Sequence, residues 1–155
     1  MKKIVKILAL SLCLLLALSA CGKSSYISFD DVYADLIENI DFGSNMAEMS
    51  EIAAENFYFI YDTDILEDYV IYMDESNSTP NEIALFRLAK ESDRTTVETI
   101  VKNRINDLKI GFEDYNPDEM YKLENAVVKA KGKYVMMVIS SDNSKASDIL
   151  NKYLG

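Results

Sequence analysis

The chain has 155 residues, 49% of them hydrophobic and 27% charged, with 26 acidic against 16 basic side chains and a formal charge of -10. That composition is too apolar for a disordered chain and too acidic to grip nucleic acid or an anionic membrane surface, both of which need a basic face. There is no histidine, which removes most zinc sites, triads and imidazole proton shuttles.

Met1-Lys2-Lys3-Ile4-Val5-Lys6 is a short cationic start, and the apolar run Ile7 to Leu18 that follows has 12 residues. A helix that spans a bilayer needs roughly 20, and a run of about 10–14 has the size of a signal-peptide segment. The next residues, Leu18-Ser19-Ala20-Cys21, resemble the lipobox of bacterial lipoproteins: an aliphatic residue, two small ones, then the cysteine to be modified. The resemblance implies that residues 1–20 are a cleaved signal helix. It also implies that the Cys21 thiol carries a diacylglyceryl group, whose fatty chains (palmitate, for example) hold the protein stably on a membrane. Cys13 would leave with the leader and Cys21 would be consumed by lipid, so disulfides and thiol catalysis are not expected.

Removing the three leader lysines leaves 13 basic against 26 acidic residues, a charge of -13. Residues 21–27 form the lipidated cysteine and linker. About five residues reach at most roughly 17 Å, so the domain is expected near the outer, extracytoplasmic face of the cell membrane. Its like charge should hold it slightly off the lipid.

Residues 28–155 read as a single domain. Ser28 can cap a helix, with Asp31 three residues on, and Phe29, Val32, Tyr33, Leu36, Ile37 and Ile40 follow the spacing of one helical face. Met46, Met49, Ala53, Phe57 and Ile60 predict a second, broken helix over 46–61. Tyr69-Val70-Ile71-Tyr72-Met73 and Ile83-Ala84-Leu85-Phe86-Arg87-Leu88 predict an antiparallel hairpin with a loose loop. A long helix should open at Ser92 or Asp93, bury Val97, Ile100, Val101, Ile105 and Leu108, and stop at Gly111. Asn116-Pro117 predicts a short helical turn through Leu123. A second hairpin, Ala126–Lys131 with Lys133–Ser140, turns at Gly132, and its Tyr134–Ile139 run suits a strand covered on both faces. A last helix from about Lys145 buries Ala146, Ile149, Leu150 and Tyr153. The expected fold is α+β, a four-stranded, mostly antiparallel sheet with helices packed against it.

Arg104 breaks the pattern of the long helix, because it borders the apolar stripe and a buried arginine needs a carboxylate. Glu82 shares a strand face with Ala84, Phe86 and Leu88, so the two can pair if that face meets the helix. The pair is either structural or the fork of a ligand site. The aromatic runs Asn56–Tyr61 and Tyr69–Tyr72 place Tyr58, Tyr61, Tyr69 and Tyr72 either in the core or in a recognition patch. Asp62, Asp64, Glu67 and Asp68 form an acidic cluster, but the glycine of a calcium loop is missing and Ile65-Leu66 interrupts it, so no metal is expected. No cofactor is expected either: the five glycines are scattered singly, so no phosphate loop exists.

The order lipobox, amphipathic helix, strand, then Asn81-Glu82-Ile83-Ala84-Leu85-Phe86, with a helix of the Ile100–Leu108 type and a closing strand at Tyr134–Ile139, resembles a family of small bacterial lipoproteins. That family carries a domain of unknown function. The resemblance covers roughly residues 27–154 and implies an anchored single domain with no assigned activity. The expectation is a membrane-anchored lipoprotein that is not an enzyme and binds an envelope protein, peptide or sugar. The alternative is a carboxylate-based hydrolase acting on cell-envelope material. Two acids with shifted pKa values in one pocket would favour the hydrolase, and an exposed aromatic patch would favour binding.

Overall fold

The computed structural model describes residues 26–61 and 63–155. The expected signal helix and Cys21 lie outside the described residues, as does Asp62.

Helix α1 (Phe29–Asn39) starts where Ser28 accepts a hydrogen bond from the Asp31 amide, and it buries Phe29, Val32 and Leu36. The stretch expected to continue as a broken helix divides into strand β1 (Met46–Glu48) and helix α2 (Glu51–Tyr58). Ser50 separates them, its side chain accepting from the Ala53 amide. Three residues are too few to show a strand period, and Met46-Ala47-Glu48 becomes a strand only because it pairs with Asp74, Met73 and Tyr72.

Strands β2 (Leu66–Asp74) and β3 (Glu82–Leu88) form the first hairpin, with an irregularity between Leu66 and Asp68. Helix α3 runs from Arg94 to Tyr115, with Val97, Val101, Arg104 and Ile105 buried. It passes through Gly111, contrary to the expected stop. Phe112 packs against the core, and the helix ends where Pro117 follows the Asn116 cap, since the residue before proline is pushed out of the helical region. Helix α4 (Met120–Glu124) is short. Strands β4 (Val127–Lys131) and β5 (Tyr134–Ile139) form the second hairpin. Gly132, at φ 55°, takes the first loop position, where tight hairpins need left-handed backbone. Helix α5 (Asn143–Leu154) closes the chain, with Asp142 accepting from the Lys145 amide.

The α+β class stands, but the sheet has five strands rather than four, in the order β1-β2-β3-β5-β4, and every neighbouring pair is antiparallel. Its pleat divides the core in two. Ile83, Leu85, Met136 and Val138 face α1 and α5, which supply Val32, Leu36, Ala146 and Leu150. Ala84, Phe86, Val135 and Met137 face α2 and α3, which supply Ala54, Tyr58, Val97 and Val101. All of β3 and β5 is buried, and each large apolar side chain taken out of water there stabilises by roughly 1.5–3 kcal/mol.

Candidate functional site

Glu82 is the first residue of β3 and points to the α2/α3 side, as Ala84 and Phe86 do. Arg104 sits on the buried stripe of α3, between Val101 and Ile105. Helix packing on that face brings the two together. Arg104 donates from Nε to Glu82 Oε1 at 3.1 Å and from Nη2 to Oε2 at 2.6 Å. The Tyr58 hydroxyl donates to Glu82 Oε1 at 2.5 Å. The two charged side chains are only 8% and 2% exposed. The guanidinium also lies 4.7 Å from the centre of the Phe57 ring and 5.7 Å from that of Tyr58.

Burial works against the charge of Arg104, but the hydrogen bonds and charge of Glu82 offset this and hold its pKa above the usual arginine value. Burial, and after it the neighbouring Glu82, pushes the Tyr58 hydroxyl well above the ordinary phenol range. Tyr58 is therefore a fixed donor.

A polar layer continues from this pair to the end of the sheet. Asn81 donates to the Phe42 carbonyl at 2.7 Å and accepts from Lys122 Nζ at 3.0 Å. Lys122 is also paired with Glu119 at 2.6 Å. The β2–β3 loop is gathered around Asp74, which is 1% exposed. Its carboxylate accepts from the amides of Ser76 and Thr79 at 2.9 Å each, and from their hydroxyls at 2.8 and 2.7 Å. Burial alone would raise the Asp74 pKa, yet these bonds outweigh it and hold the group at about 2. Asn116, at the end of α3, donates to the Ser78 carbonyl at 3.3 Å and ties the helix to the loop.

Between these parts lies a cavity of about 190 Å³. Phe57, Leu108 and Phe112 give it apolar walls, Asn77, Thr79 and Asn81 give it polar ones, and Glu82 and Arg104 line it as well. Phe57, Phe59 and Tyr61 are 43%, 60% and 69% exposed, and of the three only Phe57 borders the cavity. Phe59 carries a left-handed backbone at φ 54°, which is unusual for a bulky residue.

The four tyrosines singled out in the sequence do not make one patch. Tyr58 is 1% exposed and belongs to the core. Tyr69 packs on the α2/α3 side, its ring 6.3 Å from that of Phe86. Tyr72 packs on the opposite side, stacked on Tyr33 at 3.8 Å. An odd separation along a strand sends side chains to opposite faces. Only Tyr61 lies on open surface, in edge contact with Phe59 at 6.3 Å. Of the acidic cluster, Glu67 and Asp68 pair with Arg87, and Glu67 with Lys133. No group of three or more His, Cys, Asp or Glu among the described residues is arranged to hold a metal ion.

Sequence reasoning missed Phe112, Lys122 and Asp74, and it placed Phe57 only within the aromatic run and on the expected apolar helix face, whereas the ring is 43% exposed and borders the cavity. Helix α2 buries Ala54 and Tyr58 rather than the expected Ala53 and Phe57 face, which turns Phe57 to the rim. Nothing local distinguishes Lys122 from a solvated lysine.

The family described as Domain of unknown function (DUF4358) matches residues 38–140. The matched segment holds the whole sheet and every residue of the cavity wall, and it leaves α5 and all but the end of α1 outside. No curated protein and no solved structure matches the chain.

Proposed function

This chain belongs to the family defined by DUF4358, a domain of unknown function, and on that premise we propose that it is a lipid-anchored, extracytoplasmic binding module. The ligand would occupy the cavity beside Glu82 and Arg104. One observation carries this reading: the cavity joins apolar aromatic walls to amide and hydroxyl groups, and the charges that line it are already balanced. Such a wall suits an uncharged amphipathic ligand, a sugar or a peptide side chain with its backbone, more than an ion. The half-exposed Phe57 ring in that wall offers an aromatic face against which such a ligand can rest.

Binding is favoured over hydrolysis because the buried carboxylates are committed elsewhere. Glu82 is held by Arg104 and Tyr58, and Asp74, held ionised at about 2, anchors its loop and makes a poor proton donor near neutral pH.

Position supports the anchored reading. The first described residues join the sheet at one end of β3, where Tyr26 covers Arg87 at 4.5 Å and the Ile27 amide donates to the Tyr134 hydroxyl at 3.1 Å. Glu82 and the cavity are at the other end of β3, about 17 Å away at the rise of a strand. A domain tethered through Cys21 would present the cavity away from the bilayer.

The test has two arms. Cys21→Ala is expected to abolish partitioning into the detergent phase and to change the processed size. In the second arm, labelled protein is titrated with N-acetylated disaccharides and with uncharged tripeptides. One probe class is expected to shift the resonances of Phe57, Asn81 and Phe112, and the shifts should vanish in Leu108→Trp, which fills the cavity. Unaltered partitioning removes the anchor, and shifts that persist in Leu108→Trp, or none at millimolar probe, remove the cavity.

A further inference from the structure

The sheet has two edges, and the fold treats them differently. The β4 edge carries Lys129 and Lys131, and Lys131 reaches the carbonyl of Gly155 at the end of α5. Lysines and a covering element are common ways of blunting an edge. The other edge begins with β1, which pairs only with Tyr72, Met73 and Asp74. One more bond follows, from the Met49 amide to the Ile71 carbonyl at 2.7 Å. Ser50 then caps α2 and the chain leaves the sheet. Along Leu66–Val70, β2 is paired with β3 on one side, and no strand of the described residues runs along the other.

The direction of the backbone groups on this stretch follows from the bonds beside it. Glu75 donates to the Asn45 carbonyl and Ile71 accepts from Met49, whereas Asp74 donates inward to the Asn81 carbonyl. Odd-numbered residues of β2 therefore face outward. Alternation in an antiparallel ladder then turns both the N–H and the C=O of Tyr69 into the vacated lane. The irregularity between Leu66 and Asp68 ends this register near Glu67.

The lane opens on a cavity of about 370 Å³ bordered by Glu48, Met49, Glu51, Glu67, Asp68 and Tyr69. Arg87 and Lys133 share the charge of Glu67 and Asp68. Among the described residues, Glu48 and Glu51 take part in no ion pair. The field of Glu51, with that of Glu55, reaches Tyr69 and adds to burial in raising its hydroxyl pKa. We propose that this open edge of β2 is a docking site for an extended segment of another polypeptide that bears lysine or arginine, added as a further strand. Backbone bonds to Tyr69 supply the register, and the acidic border selects the charge. A second copy of this chain fits poorly, because it would bring the same carboxylates face to face across the new pair. The inference is independent of the cavity at Glu82.

The test uses the full chain in nonionic detergent and a capped peptide of about ten residues, the upper range of strand length, alternating lysine and valine. Binding is expected, with hydrogen exchange at the Tyr69 amide slowed. Methylating alternate peptide amides, in the register that faces β2, should weaken binding about tenfold, and so should Glu48→Lys with Glu51→Lys. Because the methylated peptide leaves the protein untouched, that arm does not depend on how the variant folds. Three results would overturn the proposal: no binding at millimolar peptide, equal binding of the methylated peptide in both registers, or equal binding of a glutamate-for-lysine peptide.

Discussion

Arg104 and Glu82 illustrate what a buried pair contributes. Withdrawing both charges from water costs nearly as much as their attraction returns, so the pair adds little net stability, but removing one partner strands the other. Arg104→Met leaves Glu82 buried with Tyr58 as its remaining donor, and is expected to lower unfolding stability by about 3–5 kcal/mol. The double variant Arg104→Met with Glu82→Leu should recover most of that loss. Urea unfolding of the two single variants and the double variant measures the coupling. Single losses below about 1 kcal/mol that simply add would show that the contact is not energetically coupled.

Asp74 is a second case, with a pH signature. Its folded pKa of about 2 lies below the unfolded value of about 3.9. The ionised form is therefore the one the fold favours. Its contribution is fully present above about pH 5 and is lost as the pH falls through about 2, a difference of about 2–3 kcal/mol. Asp74→Asn should lose that amount at neutral pH and flatten this part of the acid limb when unfolding is followed across pH. An unchanged acid limb would show that the loop bonds do not hold the carboxylate ionised.

Helix α3 shows how an element overrides a local signal. Glycine after an apolar stripe commonly marks a helix end, and Gly111 follows Ile110 in that way. Yet the helix continues to Tyr115, with Phe112 packed on the core. Interior glycine weakens a helix, and a Cβ at Gly111 would meet nothing within 4 Å. Gly111→Ala is therefore expected to stabilise by about 0.5–1 kcal/mol. Gly132→Ala, at φ 55°, should instead cost about 1 kcal/mol. Thermal unfolding of the two variants checks the opposite signs, and a destabilising Gly111→Ala would refute the helical assignment there.

Across the whole molecule, the point where the chain joins the sheet and the Glu82 cavity stand at opposite ends of β3, while the open edge of β2 runs along the side. In the proposed anchored form, a linker of about five residues would hold the first end near lipid. The cavity would point outward and the β2 edge would remain reachable from the side. With 13 basic against 26 acidic residues after residue 20, the body has a field that repels anionic lipid and attracts basic segments at distances near the Debye length of about 8 Å.

Much of this architecture is local and so was legible in residues alone. Helix α1 with its Ser28 cap, the two hairpins, the turn at Gly132 and the α+β class follow from periods of 3.6 and 2, each written by one buried face. The opposition of Arg104 and Glu82 was arguable for the same reason, since each sits on the apolar side of its own element. What required the assembled chain was whatever depends on a distant partner. Strand β1 exists through its pairing with Tyr72–Asp74, and α3 runs past Gly111 because Phe112 finds the core. Tyr58 can be buried because Glu82 accepts the hydrogen bond its hydroxyl donates, and Lys122 because Asn81 and Glu119 receive its ammonium group. A local pattern records which side of an element meets the core, but which residues of two elements meet each other is set by packing across the sheet.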